Sequence, residues 1–417
     1  MTAAPHAAAT LAIDFGTSNS AAAICENGVL RRIPIARGEE TLPTAVFFPA
    51  RGGAMQIGQD AVEALIDGDE GRFMRALKSI LGTTLFHDRR LIGGKRRTLS
   101  EIVTAFLATL KSRAEAETGL SFSRALSGRP VHFHSSDPER DQRAEDDLRA
   151  CYLAAGFEEV TFMFEPEAAA LASHQLSRAD ALGLIVDIGG GTSDFSVFRS
   201  RDNRVEIIAS HGLRLGGTDF DHAVSMAHAM PLLGHGTELR RTFGEGLLPV
   251  PNAIFQDLSN WAKIPFLYNR DTQRLVEDLI KHAVEPTKMT RLGDVIADEL
   301  GHELAFSVEK GKIAANSHGQ DAQIAMGYIE RGLTAPITAI SMNAALSSYR
   351  QQLHLAMQET LDMAQVGRDD IASVILVGGS SLMELVASEA ATVCPRAEIS
   401  MSQAFTAVVD GLALAAA

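Results

Sequence analysis

Three glycine-bearing turns, each following an apolar run, hold the residues best suited to chemistry in this 417-residue chain. The first is Asp14-Phe15-Gly16-Thr17-Ser18, with Asn19 next in line. The second is Asp187-Ile188-Gly189-Gly190-Gly191-Thr192, with Asp194 close behind. The third is Val377-Gly378-Gly379-Ser380-Ser381. Glycine lets backbone N–H groups approach an anion closely, and Thr or Ser adds hydroxyl donors. A carboxylate beside a phosphate repels it unless a cation stands between them, so the pattern calls for a magnesium nucleotide. No GxxxxGK[ST] occurs, and Gly189–Gly191 runs into a second strand-like segment instead of a helix. The turns are therefore neither a P-loop nor a dinucleotide-binding fingerprint.

Such turns need rigid supports. Thr10–Phe15 and Leu182–Ile188 read as buried strands. Ser20–Cys25 and Val29–Ile35 follow the first, joined by the hairpin signal Asn27-Gly28. Asp194–Phe198 and Val205–Ala209 follow the second across Arg201-Asp202-Asn203. Asp187 stands 173 residues after Asp14 (187 − 14), at the matching place of a matching strand–turn–strand unit. This predicts two halves of related topology with a cleft between them. Thr44–Phe48 and Val374–Val377 read as further strands. Helical spacing covers Ser100–Glu117 behind a serine cap, Glu139–Ala155, Pro166–Gln175 with Pro in its first turn, Asp294–Ala315 and Thr338–Met363. A helix begins near Leu382. Gly234–Gly246 and Leu248–Pro251 read as loops in a less regular insert that starts after Asp221.

Composition narrows the function classes. Hydrophobic residues make up 46% and charged residues 22%, a globular balance. Lys and Arg number 38 against 52 Asp and Glu, a net charge of −14 that speaks against sequence-independent nucleic-acid binding. Cys25, Cys151 and Cys394 are widely spaced and form no CxxC pair, so a reducing cytoplasm fits better than a disulfide framework. No apolar run approaches the roughly 20 residues of a membrane span. Residues 1–9 read as a floppy tail. His132 and His134 alternate in Val131–Ser135 without an evident third ligand, and Gly301-His302-Glu303 is not HExxH, because Phe306 takes the second histidine position. Arg89-Arg90 and Lys95-Arg96-Arg97 make a local basic patch, either a solvated loop or a docking site for an acidic partner.

The three turns resemble the two phosphate loops and the adenosine loop of the superfamily of actin, sugar kinases and heat-shock chaperones. Within it, the chain most resembles the nucleotide-binding domain of the DnaK-type heat shock protein 70 family. The likeness is carried by IDFGTSNS at 13–20, RALKSILGT at 75–83, FEPEAAALA at 164–172, VDIGGGTSDFSVF at 186–198, LGGTDFD at 215–221, VEKGKIAAN at 308–316 and ILVGGSS at 375–381. It runs from about residue 10 onward, and the short chain and Asn19 are most similar to the shortened bacterial branch called YegD-like.

The resemblance implies an α/β actin-like ATPase fold of two lobes, each with a ribonuclease-H-like sheet-and-helix core and a smaller appended subdomain. Lobe I would span 10–180, with 36–97 appended. Lobe II would span 181–417, with 222–325 appended and carrying an insert. No peptide-binding β-sandwich is expected in these residues. The implied ligands are ATP or ADP and Mg2+. Asp14 and Asp187 would hold magnesium through water, supported by Asp194. Thr17, Ser18, Gly190, Gly191 and Thr192 would cradle the β- and γ-phosphates, with Gly16, Asn19 and Gly189 in the same loops. Lys78 would neutralise the γ-phosphate and, with Glu165, place the attacking water. Lys78, Glu165, Asp187 and Thr192 make up the expected catalytic set. Glu309 and Lys312 would reach the ribose or adenine edge. Gly378, Gly379 and Ser380 would pack under the adenosine, and Gly216 and Gly217 would line the far side of the cleft.

Plainer readings stand beside these. Asp14 and Asp187 could cap turns, and Thr17 and Thr192 could form them. Glu165, before Pro166, suits any helix N-terminus. Lys78 could be an ordinary surface lysine, and Glu309 with Lys312 an i, i+3 helix pair. The chain departs from the family at Leu382, where an arginine often stacks on adenine, and near Phe405, where an acid is usual. The stretch from about 223 to 304 matches poorly. The resemblance implies a cytoplasmic chaperone-like ATPase that hydrolyses ATP slowly to rotate its lobes, with a protein client or regulator as partner. The alternatives are an actin-like filament protein, a sugar-kinase-like phosphotransferase and a nucleotide sensor without turnover.

Overall fold

The computed structural model describes residues 9–134, 137–172, 181–201, 204–242, 244–261, 263–316, 322–401 and 406–417. Phe405, Gln175, Asp202, Asn203, Ser135 and residues 1–8 of the expected tail lie outside these. The chain is mixed α/β and packs as two units, one of residues 1–214, 354–382 and 386–417, the other of residues 215–353 and 383–385.

The first unit is built on two sheets that repeat one plan. β1 (Thr10–Phe15), β2 (Asn19–Glu26) and β3 (Val29–Ile33) form an antiparallel meander. β4 (Arg124–Arg129) then lies parallel to β1, and β5 (Glu159–Phe164) parallel to β4. The order across the sheet is β5-β4-β1-β2-β3, with Thr41–Pro43 also paired to β2. The second sheet has the same order and directions. β6 (Ala181–Ile188), β7 (Ser193–Arg201) and β8 (Arg204–Leu213) form the meander. β9 (Ile371–Val377) lies parallel to β6 and β10 (Glu398–Met401) parallel to β9. The internal repeat expected from Asp14 and Asp187 is thus visible in strand order.

Parallel neighbours need crossover helices. Leu99–Thr118 precedes β4, Pro138–Ala154 joins β4 to β5, and Glu384–Val393 joins β9 to β10. A helix also follows each last strand, Glu165–Ala172 after β5 and Ala407–Ala415 after β10. These two pack on one another through small residues: Ala168, Ala169, Ala170, Ala407 and Ala413 are buried in one cluster. A Cβ on Gly411 would stand 1.7 Å from the Ala168 carbonyl oxygen, so backbone meets backbone there. Beside this crossing, Arg32 of β3 reaches Asp410 of the last helix with two hydrogen bonds, Nε to Oδ1 at 2.8 Å and Nη2 to Oδ2 at 2.7 Å.

The second unit is mainly helical, with Gly217–Val224, Ala253–Leu258, Arg270–His282, Pro286–Ala297 and Gly301–Asn316. The stretch read as loops at 234–251 contains a small hairpin, Glu238–Arg240 paired with Leu247–Pro249.

The expected helix Asp294–Ala315 is two helices, because Ala297 is followed by a Schellman-type stop. The Leu300 N–H donates to Val295 O at 3.0 Å, and Glu299 takes the left-handed position at φ 56°. The Tyr268 hydroxyl donates to Glu299 O and accepts from the Gly301 N–H, both at 3.0 Å, which holds the break. The expected helix Thr338–Met363 is likewise broken at Leu346, between Ala339–Ala345 and Ser347–Ala364. The cap of Leu99–Thr118 is Thr98, not the serine, in a reciprocal capping box with Glu101. Val131–His134 falls after the end of β4 and is not strand.

Candidate nucleotide site

Each of β1, β6 and β9 ends in one of the three turns, and all three lie in the first unit. The first two close alike. A Cβ on Gly16 would stand 2.2 Å from Asn19 O, and the Gly189 N–H donates to Thr192 O at 2.9 Å. The first turn is also tied to the next strand, since the Thr44 N–H donates to Ser18 O at 2.8 Å. A Cβ on Gly190 would stand 2.3 Å from Ser18 Oγ, so the two turns touch. The third turn lies against the second. Gly378, at φ 82°, would place a Cβ 2.6 Å from Asp187 Oδ1, so both its conformation and its neighbour demand glycine. Gly191, by contrast, borders open space, with nothing within 4 Å of its ideal Cβ.

The acids occupy equivalent and non-equivalent places. Asp14 pairs across the hairpin with Ala21, whereas Asp187 pairs with Asp194. Like charges directly opposite are unfavourable in a ladder, so the Asp187–Asp194 pair disfavours ionising both acids at once, a cost that Asp14 opposite Ala21 does not meet. Lys78 sits in the 3-10 turn Leu77–Ile80, and its ammonium forms a short ion pair with Glu165 Oε1. Both side chains are nearly sealed from solvent, at 8% and 12% exposure. Glu165 begins the helix after β5, and Gly128 of β4 leaves room for it. A Cβ at 128 would stand 3.1 Å from Glu165 Cγ.

These charged groups form one cluster. Burial, then the neighbouring Glu165 charge, pushes Asp14 up to about 7, with Lys78 opposing and Asp187 adding. Burial, Glu165 and Asp194 push Asp187 up to about 8, again against Lys78. Burial and Glu165 push Asp194 up to about 7. Burial alone would lower the Lys78 ammonium, but Glu165, Asp14 and Asp187 outweigh it and hold it above its ordinary value. Four carboxyls share one ammonium, and a further cation would relieve the imbalance.

The donor set suits magnesium, because every candidate ligand is a hard carboxylate oxygen. Among the described residues no three His, Cys, Asp or Glu side chains could hold an ion directly. An ion here would keep its own waters, as magnesium commonly does.

The remaining expected residues are placed as follows. Gly379 and Ser380 lie in the 3-10 turn Gly379–Leu382 of the first unit, where Leu382 is half-exposed and the Ser381 hydroxyl donates to Gly378 O at 2.6 Å. Gly216, Gly217, Glu309 and Lys312 belong to the second unit. There the Gly216 N–H donates to Asp219 Oδ2 at 2.9 Å, at the start of Gly217–Val224. Lys312 Nζ lies 2.7 Å from Asp221 Oδ1, with both side chains buried, and Glu309 is half-buried on the same helix as Lys312. Sequence reading missed Gly128 and the Asp221 partner of Lys312. A lone glycine inside a strand is the only signal the first offered, and Asp221, at the end of a quoted motif, offered none.

Comparison with known families matches part of the chain. The family model described as Hsp70 protein matches residues 89–233, about a third of the chain. Glu165, Asp187, Gly189, Gly190, Gly191, Thr192, Asp194, Gly216 and Gly217 fall inside the match, and Asp14, Lys78 and Gly378 outside it. Over these residues the chain is similar to the Hsp70 family.

Proposed function

We propose that this chain binds Mg-ATP at the junction of its three turns and hydrolyses it slowly as a chaperone-like ATPase. The observation that carries the reading is the meeting of the Ser18, Gly190 and Gly378 turns beside four carboxyls and one buried lysine. The backbone N–H groups and hydroxyls of Gly16, Thr17, Ser18, Asn19, Gly189, Gly190, Gly191 and Thr192 hold the phosphates. Asp14 and Asp187, supported by Asp194, hold the waters of the ion. Bound magnesium supplies charge neutralisation at the phosphate oxygens. Lys78 places its ammonium at the γ-phosphate, and the Glu165 carboxylate orients the attacking water. Phosphoryl transfer asks for this positioning and charge stabilisation more than for covalent chemistry.

The finer parts rest on the resemblance alone. These are the lobes 10–180 and 181–417 with their appended subdomains, and the roles of Gly216, Gly217, Glu309 and Lys312 toward the nucleoside. The same holds for Gly378, Gly379 and Ser380 under the adenosine, the YegD-like branch, a cytoplasmic location, and a protein client or regulator.

The test is single-turnover hydrolysis of Mg-ATP, with nucleotide binding measured separately, for the native chain and Lys78→Ala. The expected result is slow hydrolysis that Lys78→Ala cuts by a factor on the order of 100 while binding persists. Hydrolysis unaffected by Lys78→Ala would remove Lys78 from the catalytic set. Tight binding without any turnover would leave a sensor.

A further inference from the structure

Lys78 lies on a loop, and loops are the least precise supports for a side chain that must be placed to within about half an ångström. This loop is held in an unusual way. It is entered through Ala76 in the left-handed region, at φ 58°, where alanine is strained. It leaves through Gly82, also left-handed at φ 73°. A Cβ on Gly82 would stand 2.4 Å from Arg140 O, so the loop's exit is pressed onto the helix Pro138–Ala154.

That helix supplies the fastening. Asp147 accepts the Gly82 N–H on Oδ2 at 2.9 Å and meets His87 Nε2 with Oδ1 at 2.8 Å. Its carboxylate spans both ends of the segment Gly82–His87 and is only 12% exposed. A second fastening lies one residue earlier, where His134 Nε2 donates to Leu81 O at 2.8 Å. His134 is itself held by Asp141, whose Oδ1 accepts its N–H at 3.0 Å. Leu77, Leu81 and Phe86 are fully buried beneath the loop, which fixes its height above the core.

We propose that Asp147, seconded by His134, is the positioning residue for Lys78, docking the Gly82 end of the loop so that the ammonium faces Glu165. The inference rests on the reading of Lys78 given above; among the described residues Asp147 is hydrogen-bonded to Gly82 and His87, while Lys78 pairs with Glu165. Asp147 acts through backbone. It gives a charged acceptor to an N–H that would otherwise be buried unpaired, and such bonds are stronger than neutral ones.

The test compares Asp147→Leu with Asp147→Asn, since asparagine keeps an acceptor for Gly82 and leucine does not. Three quantities are read: ATP affinity, the single-turnover rate, and the labelling of Lys78 by an amine-reactive reagent, followed by peptide mass spectrometry with Lys111 as internal reference. Asp147→Leu is expected to slow turnover on the order of 10- to 100-fold, to leave affinity nearly unchanged, and to raise Lys78 labelling. Asp147→Asn is expected to stay near the native chain in all three. A merely structural role would lower folding stability without exposing Lys78 selectively. Should Asp147→Leu fail to fold, His134→Phe, which removes the donor to Leu81 O, is read by the same three quantities. Unchanged Lys78 labelling in the folded variant overturns the proposal. Failure of the wider reading is seen separately, as hydrolysis by Lys78→Ala at the native rate.

Discussion

At the scale of the residue, the acid cluster makes the free protein sensitive to pH in a definite sense. Asp14, Asp187 and Asp194 hold their protons up to about 7, 8 and 7 in the fold. The same groups release them near 3.9 in an unfolded chain. Between those limits the folded state binds more protons than the unfolded one, so stability falls as pH rises. The loss begins above roughly pH 4 and is complete once pH has passed about 8. Melting temperatures measured without nucleotide should therefore be higher at pH 5 than at pH 8, and Asp187→Asn should flatten the slope. A rising profile over that window would show that the carboxyls are already ionised in the fold. The acids and glycines of the turns could be read from sequence because turn chemistry is local. Lys78 and Glu165 are joined by the family resemblance alone, because 87 positions separate them and no local signal links the two.

At the scale of the element, the repeated meander was legible, since the apolar runs and their acids recur in order and Asn27-Gly28 marks the first turn. The helix breaks were not. Glu299 takes the place usually held by glycine, and the Tyr268 hydroxyl that stabilises it comes from a loop 31 positions earlier. The tie between β3 and the last helix was equally silent, because Arg32 and Asp410 stand at opposite ends of the chain. Hydrogen bonding to Asp410 holds the Arg32 guanidinium above its ordinary value despite burial, with Glu40 adding to the effect. Removing one partner of a largely buried pair leaves the other unpaired. Asp410→Ala should cost about 3 kcal/mol in urea unfolding. Replacing both partners by apolar residues of similar size should recover most of that. A loss below about 1 kcal/mol would mean that solvent or Glu40 already satisfies Arg32.

At the scale of the whole molecule, the net charge of −14 and the acid cluster both oppose a bare nucleotide, so ATP should bind well only with a divalent ion. A ligand at about one hundred times its Kd stabilises the fold by about 2.7 kcal/mol. Thermal unfolding should therefore shift upward with ATP and magnesium together, and little with ATP and a chelator. Equal shifts in both would argue that the carboxyls do not serve an ion. The two sheets were foreseeable as a repeat, but not the way their closing helices cross, because alanine-rich stretches carry no directional signal. That crossing, with Gly411 against the Ala168 carbonyl, resembles a plain bearing more than a gear. Interlocked leucine ridges would have to change rotamers and ride over one another before one helix could turn on its neighbour. Methyl groups and bare backbone leave few ridges to disengage there, so what resists a small rotation about this point is the Arg32–Asp410 pair beside it.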